Sequence, residues 1–369
     1  MGDAIAHEWV TARRGSERVF EQLAACHPDA ELFALSARPD AGLRLGTGRT
    51  LTTTYLDRAP LRERRSVTLP LMPHAWSRMG RGRSFDRLII SHHAAAMQLA
   101  RHVRAGQTMV YVHTPARYVW TPELDGRGSA RLLDPLRYLM KRSDLRALPF
   151  VDRIAANSAE VAGRVSRFWD RESTIIHPPV DVDFFVPAAS SAATRPIHDE
   201  PYVLGFSRFV RYKQLDVVIR VGEAAGVPVV LAGAGPDQAR LSALASSSRV
   251  PVRIVVNPTD DELRALYRDA LCMVYPGHED FGIAPLEAQA CGTPVVALAR
   301  GGALETIRPG VSGFHVETFE SGGLEELVTR CATLDPVACR QNALAFSEAE
   351  FRRKWCDWAA EGTHSEGAR

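Results

Sequence analysis

Residues 278–296 read HEDFGIAPLEAQACGTPVV, directly after the apolar run Leu271–Tyr275 and running into a second one at Pro294–Ala297. The two apolar runs are short enough for strands, and the segment between them opens a helix at about Gly282–Pro285. Strand, loop, helix and strand in this order form a unit that needs a parallel sheet. Glu279 falls in the loop and Glu287 lies eight positions on, within the helix. Such a loop, at the carboxyl end of a parallel strand, offers free backbone N–H groups to an anion. The two carboxylates add acceptors of fixed geometry for hydroxyl groups.

The same alternation extends outward from this unit. Upstream come a strand at Tyr202–Phe206, a helix near Leu215–Glu223, a strand at Pro228–Leu231, a helix near Gln238–Ala245, a strand at Val252–Val255 and a helix near Asp260–Arg268. These predict a doubly wound domain over 187–346. The first half alternates in the same way, with strands at Ala4–Ala6, Glu31–Ala34, Asp86–Ile90 and Thr108–Val112 and a helix over Glu17–Cys26. A first Rossmann-like domain over 1–186 follows. Pro187–Glu200, PAASSAATRPIHDE, has no apolar period and is the predicted linker. Phe351, Trp355 and Trp358 recur at helical spacing, so a helix over about 347–369 is expected to pack back on the first domain.

Two domains suit a chain of 369 residues. With 46% hydrophobic and 24% charged residues and a net charge of +2, the composition excludes disordered and membrane-spanning classes and gives no basic footprint for nucleic acid. Six cysteines without a C-x-x-C pair, and an N-terminus without a signal-like apolar region, predict a cytoplasmic protein. Arg58–Arg87 holds eight arginines and is the candidate for peripheral contact with anionic lipid at the inner membrane face. The oligomeric state is not readable.

Other segments at strand ends carry polar groups. GFSRFVRYKQLDVVI, 205–219, supplies Arg208 and Lys213, the latter one of only three lysines. Fixed cations of this kind stabilise a departing phosphate anion. In the first half, HEWVTARRGSERVFEQL (7–23) places Gly15 in a strand-to-helix loop. SHHAAA (91–96) and YVHTPARYVW (111–120) bring His92, His93, His113, Arg117 and Trp120 to the ends of two strands. Asp181-Val182-Asp183 is not read as a metal site, because nothing nearby completes an oxygen shell.

The segment 278–296 resembles the E-x7-E signature of family 4 glycosyltransferases and its P-L-E-A-x-A-C-G-T-P-V-V continuation. Residues 205–216 resemble that family's G-x-x-R and Y-K-x-x-D segment, and Gly301, Gly302 and Glu305 its G-G-x-x-E. The resemblance implies a GT-B fold, α/β, with two facing Rossmann-like doubly wound domains and a cleft between them. It implies a retaining enzyme that moves a sugar from a nucleotide sugar to an acceptor hydroxyl without a metal or other cofactor. Glu279 would contact the donor sugar and Glu287 the ribose. The backbone of Phe281, Gly282 and Ile283 would lie against sugar and diphosphate, Arg208 and Lys213 would hold the diphosphate, and Gly15 would approach the donor from the first domain. The segments at 91–96 and 111–120 resemble the GDP-mannose-dependent, mannosyltransferase-like subgroup, as do Val151–Ser158 and Ile175–Asp181. That likeness implies His93 as the catalytic histidine and His92, His113, Arg117 and Trp120 on the acceptor side. Thr121 stands where the subgroup carries an acid. A non-catalytic auxiliary protein of this fold, a sugar-nucleotide epimerase and a phosphorylase are the rival readings. The acceptor stays open among a lipid-linked saccharide, a polysaccharide precursor and a small metabolite.

Overall fold

The computed structural model describes residues 2–13, 15–63, 68–122, 134–188, 200–320 and 322–361. The chain divides into two compact units, Met1–Pro179 with Ala349–Arg369, and Val180–Glu348.

The first unit is built on seven parallel strands: β1 (Ala4–Val10), β2 (Glu31–Ala37), β3 (Leu51–Thr53), β4 (Ser84–His92), β5 (Arg104–Val112), β6 (Arg153–Ala156) and β7 (Thr174–Ile175). Their order across the sheet is β3-β2-β1-β4-β5-β6-β7. Successive side chains of a strand point to opposite faces. Leu88 and Ile90 of β4 accordingly enter one core with Trp76 and Val110, while Ile89 enters the other with Ile5, Phe20 and Tyr111. That second core is completed from the far end of the chain. The helix Glu348–Glu361 buries Phe351, Trp355 and Trp358 in it, and Trp355 Nε1 donates to His27 Nε2 at 3.1 Å. Arg153 lies 4.3 Å from the Trp358 ring centroid and donates to its carbonyl.

The second unit carries six parallel strands: β8 (Tyr202–Phe206), β9 (Val229–Gly233), β10 (Val252–Val256), β11 (Ala270–Tyr275), β12 (Val295–Leu298) and β13 (Gly313–Val316). The order is β10-β9-β8-β11-β12-β13. Here too the faces alternate, with Val203 in one core and Leu204 in the other.

The division point differs from the expected 186/187 boundary. Val180, Val182 and Phe185 are buried in the second unit's core, and Arg340 donates to the carbonyls of Phe185, Val182 and Ala290, so the six residues before Val186 are committed to that unit. Most of the expected linker, 189–199, lies outside the described residues, as do 362–369 of the expected last helix. Among the described residues no helix is long and apolar enough to cross a membrane.

Candidate functional site

In doubly wound sheets ligands bind beyond the carboxyl ends of the strands, where the strand order reverses. The reversals fall between β1 and β4 in the first unit and between β8 and β11 in the second. Most of the residues singled out in the sequence follow one of these four strands, while His113, Arg117 and Trp120 follow β5 and Gly301, Gly302 and Glu305 follow β12.

In the second unit, the short turn Arg211–Lys213 after β8 turns Lys213 inward, and Lys213 forms an ion pair with Glu279 from the loop after β11. Both groups are largely buried, at 8% and 15% side-chain exposure. Arg208 is exposed, and its guanidinium hydrogen-bonds the Tyr212 hydroxyl while lying over that ring. Gly282, at φ +90°, caps the helix Ile283–Ala290 and frees its first N–H groups toward the same loop. Glu287 is buried on that helix and accepts from the Tyr267 hydroxyl at 3.3 Å. The Phe281 ring belongs to the core, so only its backbone faces the loop.

Two glycine turns hold these loops. Gly302 donates to the Glu279 carbonyl at 3.0 Å, and a Cβ on Gly302 would lie 2.2 Å from Phe281 Cα. A Cβ on Gly233 would lie 1.9 Å from the Ser207 carbonyl oxygen, and Phe209 N donates to the Ala234 carbonyl at 2.8 Å. The Gly233–Pro236 turn therefore backs the segment that presents Arg208.

In the first unit, Gly15 opens the helix Gly15–Cys26 after β1, placing its N-terminus at the strand end. His93 follows β4 and is half-buried, with its ring edge-on to Trp9 at 4.9 Å and 5.8 Å from His113. Sequence reasoning missed His7 and Glu8 on β1. The signal was an acid and an imidazole side by side in an otherwise apolar strand. The Ser91 hydroxyl bridges His7 Nδ1 at 2.9 Å and His113 Nε2 at 2.8 Å. Burial, then His93, lowers His7 to about 3, and burial with the neighbouring histidines holds His113 well below its ordinary value. Both rings are therefore neutral near pH 7. Ring nitrogens of His7, His93 and His113 lie within 4.8 Å of one another, a spacing from which neutral imidazoles could take a metal ion. Glu8 Oε1 accepts from the N–H groups of Ala94 at 2.9 Å and of Ala95 and Ala96 at 2.7 Å, and so pins the turn that carries His93.

Two expected acceptor-side groups are placed differently. His92 is fully buried, 3.4 Å from Glu8 and with its ring 5.7 Å from that of Trp169, because the ladder of β4 turns alternate side chains inward. Trp120 stacks on Phe168 at 5.2 Å and donates to Asp144 at 2.8 Å, so its indole ties two helices together. Arg117 opens the short helix Arg117–Trp120 and is half-buried. Within Arg58–Arg87, residues 64–67 lie outside the described residues, and Arg62, Arg83 and Arg87 pair with Asp57, Glu31 and Asp3.

Two doubly wound units with polar loops at their strand-order reversals define the GT-B class. Residues 13–184 match the family model described as Glycosyltransferase Family 4, and residues 189–343 the model described as Glycosyl transferases group 1. The chain belongs to the family 4 glycosyltransferases. D-inositol 3-phosphate glycosyltransferase of Mycobacterium tuberculosis (strain ATCC 25618 / H37Rv) is 33% identical over 202 residues, 49% of this chain and 42% of that protein. The match thus spans less than half the length of the curated relatives. Among solved structures, sucrose-phosphate synthase from Thermosynechococcus elongatus superposes with a TM-score of 0.73 at 18% identity, covering 99% of this chain and 100% of that one. Anabaena Alr3699/HepE in complex with UDP gives 0.69 at 17% identity, covering 97% and 100%.

Proposed function

We propose that the protein is a retaining hexosyltransferase that moves a sugar from a nucleotide sugar to an acceptor hydroxyl. The observation that carries this reading is the Lys213–Glu279 pair beside Arg208 at the reversal of the second sheet. A cation pair suits a diphosphate leaving group, and a carboxylate beside it suits sugar hydroxyls. In the reaction the bond from the anomeric carbon to the diphosphate breaks, a bond to the acceptor oxygen forms, and the hydroxyl proton passes to the departing diphosphate. Arg208 and Lys213 carry the leaving charge, Glu279 orients the sugar, and Glu287 and the N–H groups after Gly282 hold ribose and diphosphate. In the first unit, the family resemblance implies Gly15 and His93 as donor groups and His113 and Arg117 as acceptor groups. Retention and independence from metal rest on the family resemblance.

The donor we favour is GDP-mannose, on the likeness of 91–96 and 111–120 to that subgroup. A uridine nucleotide is the second reading, favoured by the UDP and UDP-glucose complexes of HepE. A thermal-shift series with GDP, UDP, ADP and dTDP and their sugars, with and without EDTA, separates the two. A ligand of the folded state raises the melting temperature by mass action. A shift with one nucleotide that survives EDTA supports transfer without metal. A flat response to every nucleotide would favour an auxiliary protein of the same fold.

A further inference from the structure

We propose that the first unit carries a separate binding site for phosphate groups at the amino ends of β4 and β5. These ends lie opposite the histidines, since nine-residue strands put roughly 26 Å between the two. A pocket of about 740 Å³ opens there, lined by Ser77, Arg81, Arg83, Arg101, His102 and Arg104 among others. Such a volume suits one phosphorylated small molecule or one lipid headgroup.

The cations are laid out by backbone rather than by counter-charges. Ser84 and Arg104 are register partners, Arg104 N donates to the Arg83 carbonyl at 3.1 Å, and Arg83 N donates to the Gly80 carbonyl at 3.1 Å. Gly80 packs so tightly on the Ala96–Arg101 turn that a Cβ there would lie 2.9 Å from Leu99 Cδ1. The two loops bearing the arginines are thereby stitched together. Their charges are poorly compensated. Arg83 pairs with Glu31 at 2.9 Å, and Arg101 meets the neutral Gln98 at 3.3 Å. Among the described residues no carboxylate comes within ion-pair distance of Arg81 or Arg104. His102 reports the concentration of charge, because burial and then Arg101 and Arg81 lower its basicity. A second groove of about 690 Å³ shares Arg81 and Arg83 and adds Arg58 and Arg78; its one acid, Asp57, is already held by Ala37 N, the Thr53 hydroxyl and Arg62. Guanidinium forks without carboxylates of their own match phosphate oxygens, which they bind in pairs of hydrogen bonds.

The test titrates inorganic pyrophosphate into the full chain by calorimetry at physiological ionic strength. It compares the unaltered protein, an Arg81→Gln/Arg104→Gln variant and an Arg208→Gln variant, with melting curves confirming that each is folded. The expected result is a saturable event that survives Arg208→Gln and weakens roughly tenfold per guanidinium removed at Arg81 and Arg104. Flotation with phosphatidylglycerol vesicles, against pure phosphatidylcholine, distinguishes the source of the phosphate. Vesicle binding that pyrophosphate displaces assigns a lipid headgroup, and pyrophosphate binding without vesicle binding assigns a free phosphorylated ligand. Absence of any saturable event, or one lost in Arg208→Gln yet intact in Arg81→Gln/Arg104→Gln, overturns the proposal.

Discussion

Lys213 is one of three lysines in a chain whose basic residues are otherwise arginine, and it is buried against Glu279. Removing it does two things at once. The leaving diphosphate loses a fixed cation, an effect of roughly 10²–10³ in turnover. Glu279 is also left as a poorly compensated charge, so the melting temperature falls. Lys213→Met, assayed for sugar transfer and by thermal melting, is expected to show both losses, and near-normal turnover would count against its role. His7 makes a prediction in pH. Its folded value of about 3 lies below the ordinary value of 6.5, so the unfolded chain binds the extra proton between the two. Its contribution to stability is therefore full above about pH 6.5 and is lost as pH falls toward 3. Urea midpoints measured down that range should drop, and His7→Asn should flatten the slope. Lys213 was legible from its rarity and its motif. His7 and Glu8 were not, because a strand was read only over Ala4–Ala6 and buried polar side chains contradict an apolar pattern unless their partners on distant strands are known.

At the scale of elements, glycines set the loops that present the charged groups. Gly302→Ala forces the Glu279–Phe281 backbone to move, at a cost of about 1–3 kcal/mol, and should weaken nucleotide binding with it. Gly163→Ala is the contrasting control: it lies in the helix Ala159–Trp169 with open space around it, and it should stabilise by about 0.5–1 kcal/mol. Melting curves of both, with and without nucleotide, check the pair. Elements of the second unit up to β12 were read nearly to the residue, as at Tyr202–Phe206, because those strands are short apolar runs bounded by turns, whereas β13 and the helices Leu324–Cys331 and Pro336–Leu344 went unread. In the first unit β4 and β5 were read short. Their amino-terminal halves, such as Arg104–Gln107, are polar and partly solvated while still laddered. The helices Met72–Gly80 and Asp134–Ala147 also went unread. The second of these is mostly exposed and polar, so it has little apolar stripe to read.

For the molecule as a whole, the last helix is the decisive tie. Trp355 is fully buried in the first unit's core, and Trp355→Ala should cost that unit about 3–5 kcal/mol. Urea unfolding should then show the first unit melting earlier, while stabilisation by nucleotide, which we place in the second unit, persists. The spacing of Phe351, Trp355 and Trp358 made the stripe legible. Its return to the first domain is an expectation from the sequence, and the fold shows which core of that unit receives it.

That helix also orders events during synthesis. One core of the first unit is assembled from residues that leave the ribosome first and residues that leave it after the whole second unit. At ordinary elongation rates the early part waits roughly 10–30 s for its closing piece. Through that interval the apolar faces of Phe20, Leu23 and Tyr111 lack their cover, so the nascent chain is a natural client for chaperones, whereas the second unit, continuous in sequence, can finish folding while the first is still incomplete.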